Sequence, residues 1–137
     1  MLSKSILWST VVAFLFFFFV PYVFYMATEA CFQEYVLNDI SRLDAEIKIG
    51  HLALGVLFLS FAFVHLFHKW CVGVLSNRNG FVFGIWIAFF GNIAMGFIRY
   101  ATTEAVSAPF YILDAIFWVG MYAVGGALVA LTSRKTS

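Results

Sequence analysis

Apolar residues along this chain fall into four long runs, not into alternation. Positions 6–27 carry no charge, 49–68 are interrupted only by His51, Ser60, His65 and His68, 80–98 contain Asn92, and 109–132 contain Asp114. About 20 mostly apolar residues take an α-helix across ~30 Å of hydrocarbon, so each run is long enough to span. Every lysine and arginine lies outside these runs. Continuous apolarity is the signature of helices; a transmembrane β-barrel would alternate. The pattern therefore predicts an all-α, polytopic integral membrane protein. Its expected form is a single domain, 1–137, folded as a small bundle of four transmembrane helices.

The segment 28–48 is the only sizeable connection. Leu37, Ile40, Leu43 and Ile47 recur at three- and four-residue spacing, with acids and Arg42 on the other face. This predicts a short amphipathic helix between the first and second spans. Pro21 falls in the far third of the first span and predicts a kink there, since it cannot donate to the Phe17 carbonyl. Pro109 falls in the first turn of the fourth span, where a missing N–H costs nothing. The first run is longer than the 7–15 residues of a signal-peptide core and is read as a retained helix.

Composition narrows the class further. Of 137 residues, 64% are hydrophobic and 11% charged, against roughly 45–50% and about 25% in soluble domains. A water-soluble enzyme, a nucleic-acid binder and a disordered tail are all excluded on that ground. The overall character is similar to that of small bacterial four-helix membrane proteins and implies an inner-membrane location. Lys4, Lys69, Arg78, Arg134 and Lys135 share one side of the four spans with no acid. Arg42, Lys48 and Arg99 share the other with Glu29, Glu34, Asp39, Asp44, Glu46 and Glu104. The positive-inside rule then places both termini in the cytoplasm.

Small residues mark where membrane helices approach one another. The third span carries Gly80, Gly84, Ala88, Gly91 and Gly96, and the fourth carries Gly120, Ala123, Ala127 and Ala130. These two stripes are expected to face each other or a common neighbour. The first span has Phe14, Phe16, Phe17, Phe18 and Phe19 and no glycine. It is expected at the periphery, against lipid or a larger partner.

Polar groups inside a span are costly and are candidate functional residues. Asp114 lies about 7–8 Å along the axis from Pro109, at the same end as Arg99. The two are expected to form an interfacial ion pair between the third and fourth spans. Asn92 is expected to hydrogen-bond a neighbouring helix. His51 and His65 are fourteen residues apart, which places them on nearly one helical face, with an axial separation of about 21 Å. Gly55 and Ala62 lie near that face. This spacing resembles the haem-ligand helices of the cytochrome b family, in which two histidines at such an interval hold two stacked haems. The resemblance covers one helix and two residues and implies a haem- or chlorin-binding subunit, with His51 and His65 as axial ligands. No second helix repeats the pair.

No HExxH, GxSxG, P-loop or nucleotide-binding glycine motif occurs. Cys31 and Cys71 form no CxxC, so neither a catalytic nor a metal site is expected. The functional expectation is a small non-enzymatic accessory or assembly subunit, packed against a larger membrane complex or self-associating. A redox or pigment subunit and a small oligomeric transporter or channel using Asn92 and Asp114 are the alternatives.

Overall fold

A computed structural model describes residues 3–37, 47–104 and 106–136. It comprises α1 (Lys4–Gln33), α2 (Ile49–Trp70), α3 (Asn77–Ala88), a π-helical turn (Phe89–Ala94), α4 (Met95–Thr102) and α5 (Ala108–Thr136). α3, the π turn and α4 run on as one span, Asn77–Thr102, so four helices are long and apolar enough to cross a membrane. Among the described residues the only β-type pairing is one isolated bridge, Val36–Val106. The expected amphipathic helix rests mainly on residues 38–46, which lie outside the described residues.

Local chemistry explains the helix ends. Ser3 caps α1 by accepting from the Ile6 N–H, and Ser76 caps α3 by accepting from the Asn79 N–H. Both satisfy a first-turn donor that the helix leaves free. α1 does not stop at Pro21 but continues to Gln33. Gly73 takes a φ of 106° in the link from α2 to α3, a backbone state that favours glycine. Ser5 of α1, His68 of α2 and Ser133 of α5 meet, so both chain termini share one face of the bundle. We call it the terminal face.

α5 is the central helix, packing most extensively on α3 and then on α1, while α2 packs chiefly on α1. The α3–α5 interface is made by glycine. A Cβ added at Gly80 would run into the backbone of Gly126 and the Ala130 side chain, and one at Gly84 into the backbone of Tyr122 and Ala123. This close approach supplies the van der Waals contact that drives association in lipid.

The phenylalanine-rich first span departs from its expected place. It lies between α2 and α5, not at the periphery. Ser5, Ser9, Ala13, Phe17 and Pro21 are all buried, a four-residue ridge of the kind helices interlock. The ridge is small at its start and bulky at Phe17, and α5 accommodates the ring with a glycine. A Cβ at Gly125 would sit 2.7 Å from Phe17 Cζ. Phe17 then meets Phe63 of α2 and Tyr122 of α5 at centroid distances of 5.3 Å each, and Phe63 meets Phe83 of α3 at 5.1 Å. One aromatic cluster thus ties together all four spans, each pair contributing about 0.5–1.5 kcal/mol beyond burial.

Packing is uneven along the bundle axis. The buried residues of α2 are Ser60, Phe63, Val64 and Phe67, all in its second half. Those of α5 run from Met121 to Ser133. None of the residues from Phe89 to Thr102 is buried. The half of the bundle nearer the termini is closely packed, and the third span leaves the core as it moves away. The π turn supplies the reason. Its i→i+5 pattern admits an extra residue, which rotates everything beyond it by roughly 100° relative to an uninterrupted α-helix.

Candidate functional site

Three polar groupings stand out in this apolar bundle. The first lies at the terminal face. Ser133 Oγ is 2.9 Å from His68 Nε2 and 2.8 Å from Ser9 Oγ, and Ser5 Oγ donates to the Ser133 carbonyl at 3.1 Å. Serines four apart on α1 face the same side, which is why both reach Ser133. A histidine beside a serine is the beginning of a nucleophile–base pair, but Ser9 and Ser133 are each 0% exposed. Closed in by three helices, the cluster supplies interhelical hydrogen bonds. Such bonds contribute on average about 0.6 kcal/mol each in membrane proteins.

The second grouping joins α1 to α5 farther along the axis. Tyr25 Oη donates to Asp114 Oδ1, and Trp118 Nε1 donates to Tyr25 Oη at 3.0 Å. Phe24 stacks on Phe117 beside them, centroids 3.7 Å apart and planes 8° from parallel. Asp114 and Trp118 are one turn apart on α5, and Tyr25 fits between their tips. The carboxyl therefore finds its partner on the first span. Arg99 is exposed, and no ion pair joins it to Asp114 among the described residues. Tyr25 takes the direct contact with the carboxyl that was expected of Arg99, which stays close enough to act on Asp114 through space.

The third is Asn92. It lies within the π turn, half-buried, and its side chain makes no hydrogen bond among the described residues. The π turn still touches α5, but the hydrogen bond expected from Asn92 to a neighbouring helix is not formed among the described residues. By helical rise it stands about 15 Å from the end of its span at Thr102, well inside the apolar layer.

The histidine pair is less concerted than its spacing implies. His51 is exposed in the first turn of α2. His65 is half-buried, stacks on Phe61 with planes 17° apart, and has a buried Nδ1 with no partner. The third histidine, His68, is engaged with Ser133. α1, α3, α4 and α5 contain no histidine, so no other helix of the chain offers His51 or His65 an imidazole across from it. The residues present therefore do not fit a bis-histidine haem held by one copy. Among the described residues, no three His, Cys, Asp or Glu side chains come together as a metal site. Cys31 and Cys71 are free.

The small-residue stripe divides in two. Gly80 and Gly84 meet the α5 backbone and Ala88 is buried. A Cβ at Gly91 or Gly120 meets nothing within 4 Å, and one at Gly96 meets only Tyr111 Cδ1 at 3.8 Å. On α5 the residue that receives Gly80 is Gly126, not Gly120. Ser9, Ser133, Tyr25 and Gly126 escaped the sequence reading. Their signals were serines at four-residue spacing in an apolar run, a tyrosine at the depth of a lone aspartate, and the Gly125–Gly126 pair in the fourth span.

Fold and polar groups together define a small, multi-pass, four-span integral membrane protein. The chain matches no protein-family model, no curated protein and no solved structure.

Proposed function

We propose that the chain is a non-enzymatic accessory subunit that packs within the bilayer against another membrane protein. The observation that carries this reading is the Asn92 side chain, an amide placed deep in a span with no hydrogen-bond partner among the described residues. An amide in an apolar medium without a hydrogen bond costs roughly 2–7 kcal/mol, depending on the reference state. A polar group from a neighbouring protein relieves that cost. The π turn around it adds support, since such turns gather at functional positions. So does Gly91 beside it, which is open to any approaching helix. Glycine within a helix costs about 1 kcal/mol relative to alanine, and in membrane helices close approach is its usual return.

The test is gentle solubilisation from native membranes followed by sizing. The wild-type chain is expected to elute with a discrete second polypeptide or as a defined oligomer. Asn92→Leu is expected to weaken that assembly about five- to tenfold, the equivalent of one interhelical hydrogen bond of about 1–1.5 kcal/mol. A wild-type chain that runs alone as a monomer overturns the proposal.

A further inference from the structure

Outside the bundle core, a groove of about 590 Å³ runs between α1 and α2 near the terminal face. That volume falls in the roughly 300–1,000 Å³ range of small-molecule sites. Its walls are apolar and bulky: Leu7 and Val11 from α1, and Leu57, Phe58 and Phe61 from α2. Thr10 also borders it but donates its hydroxyl to the Ile6 carbonyl at 2.8 Å, so the wall offers no free donor there.

One end of the groove is chemically different. Lys4 lines it, exposed, with no carboxylate in contact among the described residues. Trp8 lines it one turn further on, 53% exposed, and its indole N–H has no partner among the described residues. Residues at i and i+4 share a helix face, so the ammonium and the indole flank the same opening. The N-terminus of α1 adds the positive end of its helix dipole. Lys69, Arg78, Arg134 and Lys135 make the remaining formal charge of this face basic.

We propose that this groove binds an anionic glycerophospholipid, with its phosphate at Lys4 and the Trp8 indole N–H and an acyl chain along Phe58 and Phe61. Charge complementarity selects the headgroup. The walls select the chain. A second helix would need small residues to come close, whereas Leu7, Phe58 and Phe61 hold a helix off and suit a flexible acyl chain. Basic pockets between spans bind anionic headgroups on the same physical basis.

The full-length protein in mild detergent is offered equal concentrations of phosphatidylglycerol and phosphatidylcholine with identical acyl chains. Lipid retained on the intact protein is then counted by native mass spectrometry. The wild type is expected to retain phosphatidylglycerol about fivefold in preference, the worth of one lysine near a headgroup. Lys4→Gln is expected to abolish the preference, and Lys4→Arg to keep it. Lys69→Gln removes a charge from the same face outside the groove and is expected to keep it as well. Leu57→Trp, which fills the groove, is expected to lose both lipids. Equal retention by the wild type overturns the proposal, as does an undiminished preference in Lys4→Gln or a loss in Lys69→Gln as large as in Lys4→Gln.

Discussion

Replacing Gly84 with alanine is expected to be among the most damaging single changes available in this chain. The added methyl group would meet the Tyr122 carbonyl and the Ala123 Cα, which are backbone and cannot rotate aside. α3 must then move away from α5, and contacts made along the whole of that interface weaken together. Overpacking of this kind costs typically about 1–3 kcal/mol, occasionally more. Gly126→Ala is expected to act alike, since its Cβ would meet the Gly80 backbone. Gly91→Ala and Gly120→Ala provide the contrast. Neither methyl meets anything within 4 Å, and alanine favours the helix by roughly 0.8–1.0 kcal/mol. Unfolding by sodium dodecyl sulfate in mixed micelles separates the two classes. If all four variants lose stability equally, the close α3–α5 approach is wrong.

Tyr25→Phe is expected to have the second large effect. It removes the hydroxyl that donates to the Asp114 carboxyl and accepts from the Trp118 indole N–H, so the carboxyl loses its shortest bond and keeps only Trp118 and the charge of Arg99. Leaving a buried polar group unsatisfied costs about 1–3 kcal/mol, more when it is charged. Asp114→Leu removes the costly group itself, so the double variant Tyr25→Phe/Asp114→Leu is expected to be less impaired than the sum of the two singles. Arg99→Gln is expected to stay within about 0.5 kcal/mol of the wild type, as exposed substitutions do. A destabilised Arg99→Gln beside an unaffected Tyr25→Phe would restore the ion pair that the sequence implies and remove the tyrosine contact.

The same residues separate what the sequence makes legible from what only the fold decides. Spans are legible because bilayer thickness imposes a length on them, and the four apolar runs meet it. The structure only lengthens their ends, as with α1 to Gln33. Which faces meet is less legible, because helical periodicity assumes an unbroken α-helix. The π turn breaks that assumption at Phe89, so Gly91 lies on one stripe with Gly80 in the sequence and off it in space, while Gly96 meets α5 only at the Tyr111 ring. Phe17 misled for a different reason. Bulk on α1 reads as peripheral only until Gly125 of α5, more than a hundred residues away, is known to lie beneath it. Asp114 was recognisable as a group in need of a partner, yet linear proximity pointed to Arg99, while tertiary contact chose Tyr25. His51 and His65 share a spacing but not a surrounding, one exposed and the other stacked on Phe61.

The account turns on the open stretch of the third span being covered by another protein. Photo-crosslinking in native membranes tests this most directly, with a photoreactive residue in place of Phe90 or Phe97, which are 77% and 73% exposed and flank Asn92. The account predicts one discrete protein adduct from at least one of these positions, reduced when Asn92→Leu is added. Adducts to lipid alone from both positions would contradict it.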